Sequence, residues 1–269
     1  MLRIKTVSQI TPDILDEIFN QDFLAIRIPN YIEPALCDKL SQWFIQADHL
    51  ERYPHDIMIN DHINYIDCGV DRLGVSYNVT FGKTENSAEH KRYYATALTT
   101  IQEIRKACQG RPSPIDKLRL ELDENWAHGA NIASFNKKNM TLGIGRVMNR
   151  PEKSHMSELL PHIDLLPPNV FEIIAQYSAN VYLSLPALGG ELELWDIPPI
   201  PIHEASTMQS DYDWRAKHSD SILIKPTKGE LILINTRRPH AIRAFSAGNR
   251  VSQQCFIGVK QDRSMVLWS

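Results

Sequence analysis

The chain has 269 residues, of which 43% are hydrophobic and 23% charged, and its formal net charge is −3. These values are typical of a globular protein and give no reason to expect a nucleic-acid or anionic-membrane partner, so they favour a small-molecule task. No stretch approaches the roughly 18 apolar residues of a membrane span, and the N-terminus lacks the apolar core of a signal peptide, which predicts a cytoplasmic protein.

The first 130 residues are predicted to be mainly helical. Thr11 can cap a helix that has Pro12 at its first position, and apolar residues at helical spacing mark two further helices. Helices are predicted from Pro12, over residues 32–44 and over residues 89–107, and a strand over residues 23–30. Alternation of Val75, Tyr77, Val79 and Phe81 predicts a half-buried strand there.

From about residue 131 onward, short apolar strands alternate with turns, as in a β-sandwich or a double-stranded β-helix. Strands are predicted over residues 143–148, 176–185, 191–195, 221–224, 230–235, 241–245 and 251–259. The long segment 197–220 is proline-rich and then polar, and one interpretation is a lid over a site. The sequence therefore predicts an α+β fold in a single domain, 1–269, with residues 1–130 covering a jelly-roll β core at residues 131–260.

His162 and Asp164 are two residues apart, so on a strand or its edge their side chains project the same way. His240 follows an apolar strand and a short connection, and can return to the same end of a barrel. Two histidines and one carboxylate are the ligand set that holds non-haem Fe(II) and leaves other positions open. A triplet of this kind also arises by chance, so the residues downstream decide its weight.

Arg250 and Ser252 lie two apart on a predicted strand, and their side chains can therefore meet one carboxylate together. An arginine in this place suits the far carboxylate of a keto acid. Taken alone, Arg250 would be interpreted as a solvated arginine of an edge strand. In combination with the two histidines and the aspartate it makes the hypothesis of an iron and keto-acid site specific.

A resemblance to the Fe(II)/2-oxoglutarate-dependent oxygenase superfamily, especially its prolyl-hydroxylase-like branch, is visible in three segments. They are PHID at 161–164, GGELELWD at 189–196 and KGELILINTRRPHAIRAFSAGNRVSQQCFIG at 228–258. The resemblance covers roughly residues 140–260. It implies a double-stranded β-helix, iron held by His162, Asp164 and His240, and 2-oxoglutarate held by Arg250 with help from Ser252. Tyr177 and Asn180 are further candidate contacts to 2-oxoglutarate, with strand packing as their alternative.

The activity that the resemblance implies is hydroxylation of an unactivated C–H bond, with 2-oxoglutarate and O2 as co-substrates. Asp164 argues against halogenation, because related halogenases have glycine or alanine in place of the carboxylate. Desaturation or cyclisation of a natural-product intermediate, or of a carrier-tethered or peptide substrate, stays open. Two alternatives belong to a different class: a metal-binding cupin-like protein without oxygenase activity and a zinc hydrolase. Arg250 with Ser252 is the discriminating feature, since a zinc hydrolase has no evident need for the pair.

The substrate is poorly encoded in the sequence. The size and layout resemble members that hydroxylate free amino acids or other small polar metabolites, and this class is the preferred prediction. Candidate substrate contacts are Arg146, Arg72, Tyr77 and Glu121, each of which has a solvated or packed alternative. A small-molecule partner is predicted, no nucleic acid and no membrane, and a homodimer is left open.

Overall fold

The computed structural model describes residues 3–20, 23–53, 55–59, 62–66, 69–148, 157–167, 169–201, 204 and 213–269. The helices are α1 (Pro12–Asn20), α2 (Pro34–Gln46), a 3-10 turn (Tyr77–Thr80), α3 (Ala88–Ala107), α4 (Pro114–Asn125) and α5 (Trp214–Lys217). The strands of the first half are β1 (Arg3–Thr6), β2 (Phe23–Ile28), β3 (Glu51–Arg52), β4 (His55–Ile59), β5 (His62–Ile66), β6 (Val70–Leu73), β7 (Ala130–Ile132), β8 (Ser134–Phe135) and β9 (Lys138–Asn139). Those of the second half are β10 (Ile144–Met148), β11 (Ser157–His162), β12 (Ala175–Ser184), β13 (Leu192–Trp195), β14 (Ser221–Ile224), β15 (Leu231–Asn235), β16 (His240–Phe245), β17 (Arg250–Val259) and β18 (Met265–Trp268).

Two sheets face each other in this mixed α/β fold. The large sheet has the order β1-β2-β15-β12-β17-β10-β6-β3, with β18 paired to β17 and β7 paired to β18. The small sheet has the order β11-β16-β13-β14. Tyr182 and Ile232 of the large sheet pack against Leu192, Leu194 and Ile224 of the small one in a single buried cluster. The space between the sheets is therefore an interior that both line.

Helices cover the other face of the large sheet. Leu40 and Phe44 of α2 and Leu118 of α4 pack with alternate residues of β12 and β17, such as Ala179 and Cys255, in the main hydrophobic core. Side chains of a strand point alternately to the two faces, so β12 and β17 each contribute one set to this core and the other set to the interior between the sheets. Across the described residues, no helix is both long and apolar enough to cross a membrane.

The predicted helices and the seven predicted strands of the second half are confirmed within a few residues at each end. The strand predicted around Val75 and Phe81 is wrong. The strand of this region is β6, which ends before Gly74, and Gly74 adopts a left-handed φ of 95°. A 3-10 turn follows at Tyr77–Thr80; Val75 before it and Tyr77 in it are buried, while Phe81 directly after it is exposed. Apolar residues at alternate positions of this turn region had imitated the period of a strand.

Some elements were not predicted from the sequence. Helix α4 begins in the standard way, with Ser113 accepting a hydrogen bond from the backbone N–H of Asp116 and Pro114 at its first position. Its start signal is present in the sequence, but its apolar stripe is broken by charged residues. Strand β11 holds Pro161, which lacks an N–H and so reads as a strand breaker.

The segment predicted as a lid lies partly outside the described residues, at 202–203 and 205–212. Its described ends pack against the outer face of the small sheet. Ile200 and Trp214 form a buried cluster with Trp195 and Ala241. Arg215 of α5 donates hydrogen bonds to Glu193 (2.7 Å) and Glu158 (2.7 Å), and these ion pairs fix α5 against that face.

Gly145 lets α2 approach the large sheet closely. A Cβ atom at this position of β10 would lie 2.7 Å from two ring carbons of Phe44. Carbon atoms in contact are ordinarily about 3.5–4.0 Å apart, so the ring occupies the space that a side chain would need. The close packing of α2 on β10 therefore requires glycine.

Replacing Gly145 by alanine should lower the free energy of unfolding by about 1–3 kcal/mol, because the Phe44 ring must leave a packed position. Urea denaturation followed by circular dichroism measures the loss. The double variant Gly145→Ala, Phe44→Leu should lose less than the sum of the single variants, since leucine leaves room for the methyl group. Strictly additive losses would contradict the contact.

Candidate metal centre

The three predicted metal ligands lie together at one end of the interior. His162 ends β11 and His240 begins β16, and the two residues are direct partners in the antiparallel ladder. The ladder is irregular just before this pair, between Leu159 and His162, so simple alternation does not set the direction of the His162 ring. The ring centroids are 4.4 Å apart, and one ligand atom from each of His162, Asp164 and His240 falls within 4.8 Å of the others.

The backbone holds Asp164 in place although β11 has already ended. Its N–H donates to the carbonyl oxygen of Thr236 at 2.9 Å, and the Thr236 hydroxyl donates back to the Asp164 carbonyl at 3.4 Å. The N–H of Thr236 donates in turn to the Gln176 carbonyl on β12 at 3.0 Å. Asp164 is therefore tied to the connection that leads from β15 to His240 and, through Thr236, to β12.

Both imidazole rings are oriented by a carbonyl two residues earlier in the chain. Nδ1 of His162 lies 2.7 Å from the Leu160 carbonyl oxygen, and Nδ1 of His240 lies 3.0 Å from that of Arg238. A carbonyl oxygen can only accept, so each Nδ1 carries a proton and donates it. The two Nε2 atoms are left to face the Asp164 carboxylate, at 3.8 Å for His162 and 3.2 Å for His240.

Asp164 is held as a carboxylate. Burial by itself would raise its pKa, but while the two Nε2 atoms are protonated, the hydrogen bond from His240 and the charge of both rings outweigh burial and keep the pKa well below its ordinary value. Arg146 adds to the same effect. About a third of the Asp164 side chain is still exposed, so an ion or ligand can reach it.

This ligand set fits a divalent metal ion. If both imidazoles are neutral, their Nε2 lone pairs point at a carboxylate oxygen, and these atoms repel unless a positive charge lies among them. A proton can supply that charge, and so can a metal ion bound by two nitrogens and one oxygen. Hydrogen bonds from Nδ1 to backbone carbonyls are the usual support for metal-binding histidines.

Arg250 lies on the interior face of the large sheet with only 5% of its surface exposed. Its Nη2 donates to the Tyr182 hydroxyl and its Nε to the Gly190 carbonyl, both at 3.3 Å, and its guanidinium lies 4.9 Å from the centre of the Tyr182 ring. Among the described residues no carboxylate is within ion-pair distance of it. Burial lowers the pKa of Arg250 from its ordinary value, which is the mark of a cation that lacks a compensating anion.

A row of paired residues crosses the large sheet beside Arg250. Tyr182 of β12 pairs with Ser252 of β17, Ser252 pairs with Arg146 of β10, and Arg146 pairs with Arg72 of β6. Directly paired residues share a face, so all four side chains belong to the interior face that Arg250 shares with Ser252. Arg146 and Arg72, both predicted substrate contacts, are thus neighbours of the predicted 2-oxoglutarate site.

Tyr177 does not lie at this site, which corrects its prediction. It belongs to the opposite face of β12, where its hydroxyl donates to the Ile18 carbonyl and its ring stacks on Phe23 at 5.8 Å. Asn180 is on the interior face, with its amide donating to the Ser178 hydroxyl at 3.1 Å. The tyrosine that meets Arg250 is Tyr182, which the sequence analysis missed. Period-two counting from Asn180 leads to Tyr182 and excludes Tyr177.

Tyr77 and Glu121 also lie elsewhere. Tyr77 packs edge-on against Tyr93 at 5.1 Å in the cluster between α3 and β18. Glu121 is on α4, behind the large sheet, and accepts a hydrogen bond from the Tyr31 hydroxyl at 2.7 Å. Glu121 therefore serves packing on the helical side, so the prediction that it contacts substrate is wrong. Tyr77 shares its buried cluster with Phe256 and Trp268, and its contact with substrate stays a prediction. The chain is thus a mixed α/β protein with a preformed nitrogen and oxygen ligand set between two sheets, which defines a candidate metalloenzyme.

Comparison with known proteins agrees with the motifs. No protein-family model matches the chain. L-isoleucine 3(1)-dioxygenase from Pantoea ananatis is 22% identical over 261 residues, which cover 90% of this chain and 82% of that protein. L-gamma-glutamyl-L-propargylglycine hydroxylase from Streptantibioticus cattleyicolor is 27% identical over 252 residues, which cover 91% of this chain and 87% of that protein. These relatives confirm the resemblance to the Fe(II)/2-oxoglutarate-dependent oxygenase superfamily.

Among solved structures, a prolyl-4-hydroxylase from Pseudomonas putida matches 91% of this chain and 96% of its own, with a TM-score of 0.45 and 12% sequence identity.

Replacing Asp164 by alanine should weaken Co²⁺ binding by more than about a hundred-fold, since loss of an outer hydrogen-bond partner alone already costs roughly 10- to 100-fold. Isothermal titration calorimetry measures the affinity. His128→Ala is the matched control, because His128 is exposed in a loop and should leave Co²⁺ affinity unchanged. Equal affinities for the wild type and Asp164→Ala would contradict the ligand assignment.

Proposed function

We propose that the chain is an Fe(II)- and 2-oxoglutarate-dependent dioxygenase that hydroxylates a free amino acid or an amino acid derivative. His162, Asp164 and His240 hold the iron in this proposal. The observation that carries it is the pairing of a ready ligand set with Arg250, a buried guanidinium that has no carboxylate of its own among the described residues. A keto acid that can bind the metal and ends in a second carboxylate would account for both the ligand set and the unpaired Arg250.

With Fe(II) bound at this site, O2 would be activated to oxidise an unactivated C–H bond while 2-oxoglutarate is converted to succinate and CO2, one oxygen atom of O2 entering succinate and the other the hydroxylated product. The chain's own residues supply the ligands, the orientation and a shielded site. The protons on both Nδ1 atoms keep the two Nε2 atoms available to the metal. The low pKa of Asp164 keeps its carboxylate ionised at neutral pH, so no proton competes for that oxygen.

Arg250 binds the far carboxylate of 2-oxoglutarate, with the Tyr182 hydroxyl and Ser252 beside it. Tyr182 takes the place that was predicted for Tyr177. The Arg250 side chain is already aimed by the Gly190 carbonyl and the Tyr182 ring, so little conformational freedom is lost when the carboxylate arrives. Asn180 stays a prediction for a further contact on the same face of β12.

The finer description of the fold is also a proposal. We infer that the two facing sheets are a double-stranded β-helix in a single domain of residues 1–269. In support, the candidate centre lies between the sheets at the paired ends of β11 and β16, and one hydrophobic core joins the helices of the first half to β12 and β17. Cytoplasmic location and a homodimer stay predictions from the sequence.

The substrate class rests on the two curated relatives, one named for L-isoleucine and the other for a gamma-glutamyl derivative of an amino acid. Both names describe small amino acid substrates. Desaturation and cyclisation use the same ligands and differ in the placement of substrate, so they remain the alternatives within this chemistry. A zinc hydrolase has no use for the buried Arg250, which favours the oxygenase.

Replacing Arg250 by alanine should raise the concentration of 2-oxoglutarate needed for half-maximal succinate formation by at least about ten-fold, because a charged hydrogen-bonding partner is lost in a buried site. Arg250→Lys should give an intermediate value, since lysine keeps the charge and loses the planar fork. Arg243→Ala is the control, because Arg243 pairs with Glu193 on the outer face of the small sheet. An unchanged requirement in Arg250→Ala would contradict the assignment.

The reaction class is tested by loading the protein with Fe(II) and 2-oxoglutarate without oxygen. A weak visible charge-transfer band is expected, and it should disappear in His162→Ala. On admission of oxygen, succinate formation should rise with one or more of the proteinogenic amino acids or their common derivatives. Absence of both the band and succinate would overturn the proposed function.

A further inference from the structure

A second polar cluster, around Tyr53, lies beside the candidate metal centre, and the proposed function gives it no role. Tyr53 directly follows β3, and its backbone N–H donates to the Val70 carbonyl at 2.8 Å. Its ring packs among the interior residues Met148 and Ile242. The guanidinium groups of Arg72 and Arg146 lie 5.3 Å and 5.5 Å from the centre of that ring. One aromatic ring thus supports two cations on the interior face of the large sheet.

A chain of hydrogen bonds with a fixed direction leads to the Tyr53 hydroxyl. Nη1 of Arg72 donates to the Ser76 hydroxyl at 2.6 Å, and that hydroxyl donates to Oδ1 of Asn78 at 2.5 Å. The Asn78 amide nitrogen then donates to the Tyr53 oxygen. An arginine cannot accept, so the direction is set from its start. The Tyr53 oxygen receives a hydrogen bond at the end of the chain, which leaves its own proton free for an outside acceptor.

The cluster carries more positive than negative charge. Among the described residues, no carboxylate comes within ion-pair distance of Arg146, which acts instead on Asp164 through space. Arg72 is only 3% exposed, its Nε has no hydrogen-bond partner, and its one acidic neighbour, Glu51, lies 3.8 Å away and also pairs with Arg92 at the surface. A metal ion bound to Asp164 would neutralise the carboxylate charge that otherwise attracts Arg146.

We propose that Tyr53, Arg72, Ser76, Asn78 and Arg146, the Tyr53 cluster, bind a free carboxylate of the substrate. Arg146 makes the ionic contact, the Tyr53 hydroxyl donates the second hydrogen bond, and Arg72 with Ser76 and Asn78 holds the tyrosine. This rests on the proposed function and narrows it. The substrate is a carboxylic acid, such as a free amino acid, and its carboxyl is not masked as a carrier thioester or an amide.

The position of the cluster separates it from the 2-oxoglutarate site. Arg146 lies one strand beyond Ser252 in the paired row, on the side away from Tyr182. Neighbouring strands are about 4.8 Å apart, so the Arg146 and Arg250 side chains start from separate points of the sheet and can each face a carboxylate of its own. Tyr53 packs in one buried cluster with Leu159 of β11 and Ile242 of β16, the strands that carry His162 and His240, so the Tyr53 cluster is also near the candidate metal centre. A carboxylate bound there keeps the rest of an amino acid close to the metal.

The experiment compares the proteinogenic L-amino acids with their carboxamides, which keep the side chain and amino group and lose the carboxylate. Binding is measured by saturation-transfer NMR and by calorimetry on protein loaded with Ni²⁺ and 2-oxoglutarate, so it does not depend on turnover. At least one acid should bind, and its carboxamide should bind about ten-fold more weakly or not at all. Binding of no acid, or equal binding of an acid and its carboxamide, would overturn the proposal.

Variants locate the effect. Arg146→Ala and Tyr53→Phe should each weaken binding of the acid by about ten-fold or more and leave the 2-oxoglutarate requirement near the wild-type value. Arg146→Lys should recover part of the affinity if folding of the alanine variant is in doubt. Arg111→Ala, which removes an exposed arginine on the helical side, is the control. A rise in the 2-oxoglutarate requirement with no change for the acid would reassign Arg146 to the co-substrate.

The two proposals fail differently. Absence of the charge-transfer band and of succinate formation would contradict the proposed oxygenase activity. A measured preference for acids over carboxamides would still support the Tyr53 cluster as a carboxylate site. A band and succinate formation with no such preference would keep the oxygenase and remove the Tyr53 cluster as a carboxylate site.

Discussion

The pairing of β11 with β16 is the constraint on which the rest of the site depends. It sets His162 opposite His240 and ties the Asp164 backbone to Thr236, next to the end of β15. A shift of one residue in this ladder would turn a ligand to the other face of the sheet. The same strands form the small sheet that closes the interior, so the element that assembles the ligands also shields them. Fold and site are therefore specified by one set of backbone hydrogen bonds.

Three arginines on the interior face give this protein an unusual electrostatic balance. Arg72, Arg146 and Arg250 are buried or half-buried, and Glu51 is the one carboxylate that reaches any of them within ion-pair distance among the described residues. Leaving a buried cation uncompensated costs stability. Such a cost is tolerated where binding needs it, and in our proposals the missing anions are two carboxylates that arrive with the ligands. Binding of both ligands would then compensate the buried positive charge of the interior.

Residue patterns were sufficient to predict seven strands of the second half and to single out His162, Asp164 and His240 as one group of candidate ligands. They failed where a side chain's place depends on which strands are neighbours. Tyr177 and Tyr182 lie on the same strand five residues apart, and only the pairing of β12 with β17 decides which of them meets Arg250. Tyr53 follows a strand of two residues, too short to leave a period in the sequence. Gly74 ended a strand that alternation alone would have continued.

The hydrogen bonds of the two imidazole rings to backbone carbonyls bear on how folding of this protein relates to metal binding. Each ring is held by a backbone carbonyl two residues earlier in the chain, so contacts that involve no metal orient both ligands. Folding and metal uptake are then expected to be separable, unlike those of domains that stay unfolded until an ion arrives. The ion adds stability only by mass action, growing with the logarithm of its free concentration. Loss of the ion would then leave a folded chain that can bind metal again.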